Sequence, residues 1–163
     1  MMHRAGLVCL VLITGCVPID EDSGQAFTLD PRGIQPLGTD LRIDFGRAQT
    51  GVIDTVSGLQ TRPPAQVAVL EECGAGEVTA AIWSDGLVLN FLDGDFQGWV
   101  IDQNGFVTGT GLEVGQSREA LPVTGFEETS LGTEFEAQGI FGLLDEQHQD
   151  IALLWSGVTC FFR

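Results

Sequence analysis

Residues 78–102, VTAAIWSDGLVLNFLDGDFQGWVID, carry the clearest structural signal in this chain. Three apolar runs, at residues 78–83, 87–92 and 95–101, are separated by Asp85-Gly86 and Asp93-Gly94. Asp-Gly between apolar runs is a strong β-hairpin signal, because a type I′ turn needs positive φ at both of its central residues. The stretch therefore predicts a three-stranded antiparallel meander, with Phe91 opposite Phe96 across the second turn.

Further strands are predicted on both sides of this meander. They fall at residues 67–70, 133–137, 140–144, 151–155 and 158–162. A helical turn that Ser117 could cap is predicted at residues 118–121. Residues 154–156 (LWS) echo residues 82–84 (IWS), and the order of elements is compatible with two helix-then-strands units at residues 40–100 and 106–163. The echo is too short to establish a repeat.

One helix is predicted ahead of the meander, at residues 46–59. Val52, Ile53, Val56 and Leu59 are spaced as one apolar stripe, and Pro63-Pro64 prevent the helix from continuing. A short extended segment is predicted around residues 41–45. We therefore predict an α+β fold, dominated by antiparallel sheet with one clear helix, in a single domain over residues 37–163.

The N-terminal residues have the layout of a secretory signal peptide. Arg4 precedes an apolar run that is too short to span a membrane, and the run ends in LITGC, residues 12–16. This pattern resembles the bacterial lipobox. The resemblance implies a lipoprotein signal peptide at residues 1–15 and attachment of lipid, palmitate included, to Cys16. Secretion without lipid and an uncleaved segment remain the alternatives.

The residue after the cysteine is Val17. In Gram-negative lipoproteins an Asp at this position is associated with retention in the inner membrane, so the resemblance favours the outer membrane, facing the periplasm. Residues 16–36 are polar and acidic and contain Gly24, Pro31, Gly33 and Pro36. We therefore predict that they form a flexible acidic tether between the lipid and the domain.

The chain is strongly acidic. Its 163 residues include 7 Arg, no Lys and 23 Asp and Glu, which gives a net charge of −16. Loss of Arg4 with the signal peptide would leave 6 basic and 23 acidic residues, a net charge of −17. This composition excludes a basic nucleic-acid footprint and direct attraction to anionic lipid headgroups. The acidic excess suits a basic partner, bound cations or simply a solvated surface.

Two of the four cysteines remain once Cys9 is removed with the leader and Cys16 is assigned to lipid. Two thiols in an exported chain favour a disulfide between Cys73 and Cys160. Metal binding by this pair is disfavoured because the mature chain contains a single histidine, His148. Catalytic thiol chemistry is disfavoured because the chain contains no Cys-x-x-Cys motif.

The order of elements resembles that of small envelope lipoproteins of the BamE family, also called SmpA or OmlA. Members of that family are accessory subunits of the outer-membrane β-barrel assembly machine. Residues 111–121, GLEVGQSREAL, carry most of the likeness. A duplicated helix-and-sheet unit is also similar to β-lactamase-inhibitory proteins. The short second helix, the absence of Lys and the uncertain duplication depart from both patterns, so no binding residue is carried over.

Several patterns in the sequence could indicate catalysis or ligand binding. Residues 93–98 resemble the start of a calcium loop, but Asn104 stands where the bidentate Glu is required, so a hairpin turn is favoured. His148 has no positioned nucleophile beside it in the sequence, so an exposed loop histidine is favoured. The pair Glu127-Glu128 could serve a glycosidase, but adjacent acids are expected in a chain that contains 23 Asp and Glu. Trp83, Trp99 and Trp155 lie in predicted strands. Their position favours packing within the protein over the lining of a ligand groove.

The sequence therefore predicts no catalytic residue, no metal site and no cofactor. The function expected is that of a lipid-anchored, non-catalytic accessory or structural protein that binds another envelope protein. Inhibition of a periplasmic hydrolase is the alternative, and an unrecognised envelope hydrolase is a third hypothesis.

Overall fold

The computed structural model describes residues 24–123 and 125–161, so the predicted signal peptide and Cys16 lie outside the described residues. Over the described ranges the chain forms one α-helix and eleven strands, arranged in two antiparallel sheets. The predicted α+β class with one clear helix is confirmed. In chain order the elements are β1 (Phe27–Asp30), β2 (Gly33–Pro36), β3 (Ile43–Asp44), α1 (Gln49–Gln60), β4 (Gln66–Leu70), β5 (Val78–Ile82), β6 (Leu87–Leu92), β7 (Asp95–Ile101), a 3-10 helix (Arg118–Ala120), β8 (Glu127–Glu128), β9 (Thr133–Ala137), β10 (Ile140–Leu144) and β11 (Ile151–Gly157).

The larger sheet has eight strands in the order β4-β5-β6-β7-β11-β10-β9-β8. It consists of two four-stranded meanders, β4–β7 and β8–β11, whose last strands pair with each other. The meander predicted from residues 78–102 is β5–β7, and Phe91 lies opposite Phe96 with ring centroids 5.9 Å apart. The smaller sheet has the order β1-β2-β3. This topology places one broad antiparallel sheet at the centre of the fold.

The two Asp-Gly turns differ in geometry. Asp93 and Gly94 have φ values of 54° and 82°, so the second turn has the positive φ at both central residues that type I′ requires. In the first turn the Trp83 N–H donates to the Leu87 carbonyl, so three residues remain in the loop and only Gly86 has positive φ. The type I′ prediction is wrong there, because a three-residue loop favours a type I turn followed by a left-handed glycine.

The core lies between one face of the eight-stranded sheet and a layer formed by α1, the small sheet and the long connections. Helix α1 contributes Val52 and Val56, which are buried. The predicted helix is thus confirmed, but it begins at Gln49 rather than at residue 46. The preceding residues pair with the sheet instead, because the Gly46 N–H donates to Phe96 and Ala48 forms a β-bridge with Asp95.

The tether prediction is wrong for residues 27–36. These residues form β1 and β2, and the side chains of Phe27, Leu29 and Ile34 are at most 1% exposed in the common core. Pro and Gly are common in linkers, but they also build tight hairpins. A Cβ on Gly33 would lie 2.1 Å from the Ile43 carbonyl oxygen, so glycine there permits the close approach of β3. The folded unit therefore includes this hairpin.

Polar contacts fix the hairpin to the rest of the domain. The Trp99 indole N–H donates to the Asp30 carbonyl at 2.8 Å, and the Ser156 hydroxyl donates to the Pro31 carbonyl at 3.0 Å. The Asp30 carboxylate forms an ion pair with Arg42 at 2.6 Å. Burial disfavours the charged form of Asp30, but hydrogen bonds from Arg42 and from the backbone N–H of Arg32 outweigh it and lower its pKa.

Two local predictions in the second half of the chain are also wrong. Ser117 precedes the 3-10 helix but makes no side-chain capping hydrogen bond. Its backbone pairs instead with Asp150 in an isolated bridge. Residues 158–161, predicted as strand, are not part of either sheet. The sites beside β11 are already occupied by β7 and β10, so this segment takes another path.

Candidate protein-binding surface

The face of the eight-stranded sheet opposite the core carries a continuous row of apolar side chains. Ile82 pairs with Val88, Val88 with Val100, Val100 with Trp155, and Trp155 with Phe141. Directly paired residues of antiparallel strands project from the same face, so these five side chains form one row across β5, β6, β7, β11 and β10. We call this row, Ile82-Val88-Val100-Trp155-Phe141, the outer row. None of its members belongs to the main core cluster.

Phe141 is the most exposed member of the outer row. Its side chain is 40% exposed, and its ring stacks on the Trp155 ring with centroids 5.9 Å apart. Trp155 is only 3% exposed because Phe161 also packs on it, edge to face, at 5.2 Å. Phe141 is therefore an aromatic ring held on one side by a buried tryptophan and open on the other.

The apolar surface continues from the outer row toward the β8 edge. Leu143 and Leu153 are half-buried and pair with each other across β10 and β11. Phe141 pairs with Glu136, and Leu143 pairs with Glu134. The apolar surface thus ends directly against carboxylates.

We call Glu127, Glu134 and Glu136 the acidic margin. Glu127 and Glu134 pair with each other across β8 and β9, and Glu134 accepts a hydrogen bond from the Thr129 hydroxyl. Glu127 and Glu136 are exposed, whereas Glu134 is buried. A cleft of about 680 Å³ lies beside the margin, and Phe126 and Phe141 are among its lining residues. The surface therefore combines the exposed ring of Phe141 with negative charge.

The C-terminal segment, residues 158–161, covers the other half of this face. Its Val158 carbonyl accepts a hydrogen bond from the Asn90 side chain at 3.0 Å, and its N–H donates to Gln97 at 2.8 Å. A Cβ on Gly98 would lie 2.1 Å from the Val158 carbonyl oxygen, so the segment lies directly against β7. The predicted disulfide between Cys73 and Cys160 is confirmed, and it attaches this segment to the β4–β5 connection.

His148 lies in the turn between β10 and β11, and it is exposed, as the sequence predicts. Its Nδ1 is 2.6 Å from the hydroxyl of Thr133, which also donates to the Glu128 carboxylate at 2.7 Å. Because the hydroxyl has one proton and donates it to Glu128, the geometry assigns a proton to Nδ1 of His148. Thr133 is 1% exposed, so these three residues link two turns and do not present a nucleophile.

The other residues considered as candidate sites lie in the core, on the outer row or in a hairpin turn. Trp83 and Trp99 are buried in the core, whereas Trp155 belongs to the outer row. Asp93 and Gly94 form the β6–β7 hairpin turn, which was favoured over a calcium loop. Across residues 24–123 and 125–161, no group of three or more His, Cys, Asp and Glu side chains is placed to hold a metal ion.

The outer row was not predicted from the sequence, although one signal of it is present there. Strand β6 reads LVLNFL, with apolar residues on both faces, and a strand that is solvated on one face has polar residues at alternate positions instead. This departure from alternation predicts contacts on both faces of the sheet. It does not say which strands lie side by side, since 49 residues lie between the end of β7 at Ile101 and the start of β11 at Ile151, and the two strands pair only in the folded chain.

Comparisons with known proteins identify no relative from which a function could be proposed. No protein-family model, curated protein or solved structure matches the chain. Within the part of the chain that the structure describes, no helix is both long enough and apolar enough to cross a membrane.

Proposed function

We propose that this protein is a lipid-anchored, non-catalytic component of the cell envelope that binds another protein at the periplasmic face of the outer membrane. The proposed location rests on the lipobox-like pattern that ends at Cys16 and on Val17 after it. The binding activity rests on the outer row and the acidic margin. A small soluble domain rarely leaves an aromatic ring exposed within a continuous apolar surface unless something packs on it.

The single observation that carries the binding proposal is the position of Phe141. Its ring is 40% exposed, stacks on Trp155 and pairs with Glu136. Aromatic residues in such settings are the usual energetic anchors of protein interfaces. The adjoining carboxylates favour a partner surface in which apolar side chains stand beside Arg or Lys, because complementary charge speeds association and fixes orientation.

The non-catalytic part of the proposal is supported by how the polar residues are used. His148, Thr133 and Glu128 are joined in one hydrogen-bonded chain, and its central hydroxyl is buried. A nucleophile has to face a space in which a substrate can sit. Hydrolytic turnover that disappears in His148→Ala, while the variant keeps its fold, would reject this part of the proposal.

Phe141→Ala is expected to weaken capture of the partner by about tenfold or more, which is the usual loss for an aromatic anchor. The full chain is purified from detergent-solubilised outer membranes, and the co-purified protein is quantified by mass spectrometry. Leu41→Ala is the matched control, because Leu41 is 78% exposed and lies outside the eight-stranded sheet.

Equal capture of the partner by Phe141→Ala and Leu41→Ala would show that the outer row is not the binding surface. The identity of the partner separates the two binding functions. A subunit of a barrel-assembly machine supports the accessory role, and a soluble hydrolase whose activity falls on binding supports the inhibitor alternative. Retention of the same partner by Leu41→Ala keeps the comparison specific to Phe141.

Lipid attachment at Cys16 has its own prediction. Metabolic labelling with palmitate is expected to mark the wild-type chain and to be lost in Cys16→Ala. Cys9→Ala is the matched control, because Cys9 lies within the predicted leader and its loss leaves the proposed acceptor intact. Label that persists in Cys16→Ala would show that this cysteine is not the attachment site.

A further inference from the structure

The β4 edge of the eight-stranded sheet is open. Among residues 24–123 and 125–161, strand β4, Gln66–Leu70, is a terminal strand of the sheet and pairs only with β5. Alternate residues of an edge strand direct their N–H and C=O groups away from the sheet, where they are available to another strand. Natural proteins protect such edges with charged residues, bulges or covering segments.

This edge lacks the protection that charge provides. Residues 63–70, PPAQVAVL, contain no charged side chain in a chain with a net charge of −16. Val67 and Val69 are 51% and 56% exposed, and they project from the same face because they are two residues apart. An exposed, β-branched, uncharged edge is a template for an added strand.

Negative charge lies at one end of this edge. Glu71 and Glu72 follow β4 directly and are exposed, and they line a cavity of about 420 Å³ with Val69 and Leu70. An added strand that continues the antiparallel pattern would begin beside these two carboxylates. Its first residues would therefore face negative charge, and its later residues would face the valines.

We propose that β4 binds an extended segment of a partner protein by strand addition, with Arg or Lys at the start of that segment and β-branched residues after it. This inference rests on the proposed protein-binding function. It assigns a second contact at the β4 edge of the sheet, whereas the acidic margin lies near the β8 edge. Backbone hydrogen bonds supply the affinity in this mode of recognition, and the side chains supply the specificity.

A second copy of the chain fits the edge less well. A symmetric antiparallel pair centred on Ala68 would place Glu71 and Glu72 opposite Ala65 and Pro64, which carry no positive charge. Dimerisation would also bring together two chains that each have a net charge of −16. Charge complementarity therefore favours a basic segment.

The experiment measures binding of the synthetic peptide Arg-Arg-Val-Thr-Val-Thr-Val, labelled with fluorescein, to the full chain by fluorescence anisotropy. We expect saturable binding that weakens about tenfold in Glu71→Gln/Glu72→Gln and at high salt. The same peptide with Glu at its first two positions is expected not to bind.

Backbone pairing is tested with two further peptides, each N-methylated at one of the two alternating sets of residues. One set faces β4 and the other faces solvent, so only one of the methylated peptides is expected to lose binding, by about tenfold or more. Equal binding of the two methylated peptides would show that charge alone holds the peptide, without backbone pairing, and would overturn the proposal.

Variants of the edge complete the test. Val69→Lys is expected to abolish binding, and Leu41→Lys, which adds the same charge to another exposed apolar position, is expected to retain it. Circular dichroism of both variants verifies their fold. Retained peptide binding by Val69→Lys, or dimerisation of the chain with no peptide bound, overturns strand addition at β4. Phe141→Ala leaves β4 intact, so its effect on partner capture reports on the proposed function separately.

Discussion

A chain shortened to begin at Leu37 is expected to lose its cooperative fold, because the missing hairpin is part of the core. Phe27, Leu29 and Ile34 are at most 1% exposed in the described structure. Burial of three such side chains stabilises a domain by roughly 5–9 kcal/mol in total, which approaches the whole free energy of unfolding of about 5–15 kcal/mol for a typical domain. The Trp99 indole would also lose its acceptor on Asp30.

The measurement is urea-induced unfolding followed by tryptophan fluorescence, with near-ultraviolet circular dichroism for tertiary packing. A chain that begins at Gly24 is the control, because it retains every described contact. Leu29→Ala in the full chain is expected to cost about 2–5 kcal/mol, whereas Leu41→Ala is expected to change stability by at most about 0.5 kcal/mol. A cooperative transition of unchanged midpoint in the chain beginning at Leu37 would restore the interpretation of these residues as a tether.

Replacement of both cysteines, Cys73→Ser with Cys160→Ser, is expected to lower the free energy of unfolding by about 4–5 kcal/mol, the chain-entropy value for so long a loop. The two cysteines are separated by 87 positions, so the bond restricts the unfolded chain strongly. In the folded protein it also holds the C-terminal segment against β7, where Val158 contacts Gly98. The variant is therefore expected to lose protection of the Val158 amide proton as well.

Urea unfolding measures the first effect, and hydrogen exchange at Val158 measures the second. Treatment with a reductant serves as the control, because it should destabilise the wild-type chain by a similar amount and leave the double variant unchanged. Equal midpoints for the oxidised wild-type chain and the double variant would show that the bond contributes nothing to stability. Unchanged protection at Val158 would show that the remaining contacts of the segment suffice to hold it.

The meander at residues 78–102 could be predicted because its signals are local. The Asp-Gly turns and the apolar runs lie within a few residues of each other, and Phe91 and Phe96 are joined by one short turn. The helix was likewise predicted from a stripe of residues within two turns. Its start was displaced by three residues because Gly46 and Ala48 pair with distant residues.

The remaining features depend on contacts that no local pattern contains. Residues 27–36 have the composition of a linker, and only their contacts with Trp99 and Ser156 show that they belong to the core. Residues 158–161 have the composition of a strand, but the disulfide and the Asn90 side chain hold them across the face of the sheet. The outer row requires β7 and β11 to be neighbours, which the sequence does not state.

Binding of a partner protein through Phe141, on the open part of the outer face, can be tested by photo-crosslinking in living cells. Benzoylphenylalanine is placed at position 141 and, as the control, at position 41. Phe141 and Leu41 are both exposed apolar residues, but only Phe141 lies on the outer row.

We expect an adduct with one envelope protein from position 141 and none from position 41. We also expect the crosslinked segment of the partner to contain Arg or Lys beside apolar residues. An adduct of equal yield from both positions, or no adduct from position 141, would show that Phe141 is not a binding residue. An adduct between two copies of this chain would contradict the proposal as well, because the surface would then be a homodimer interface.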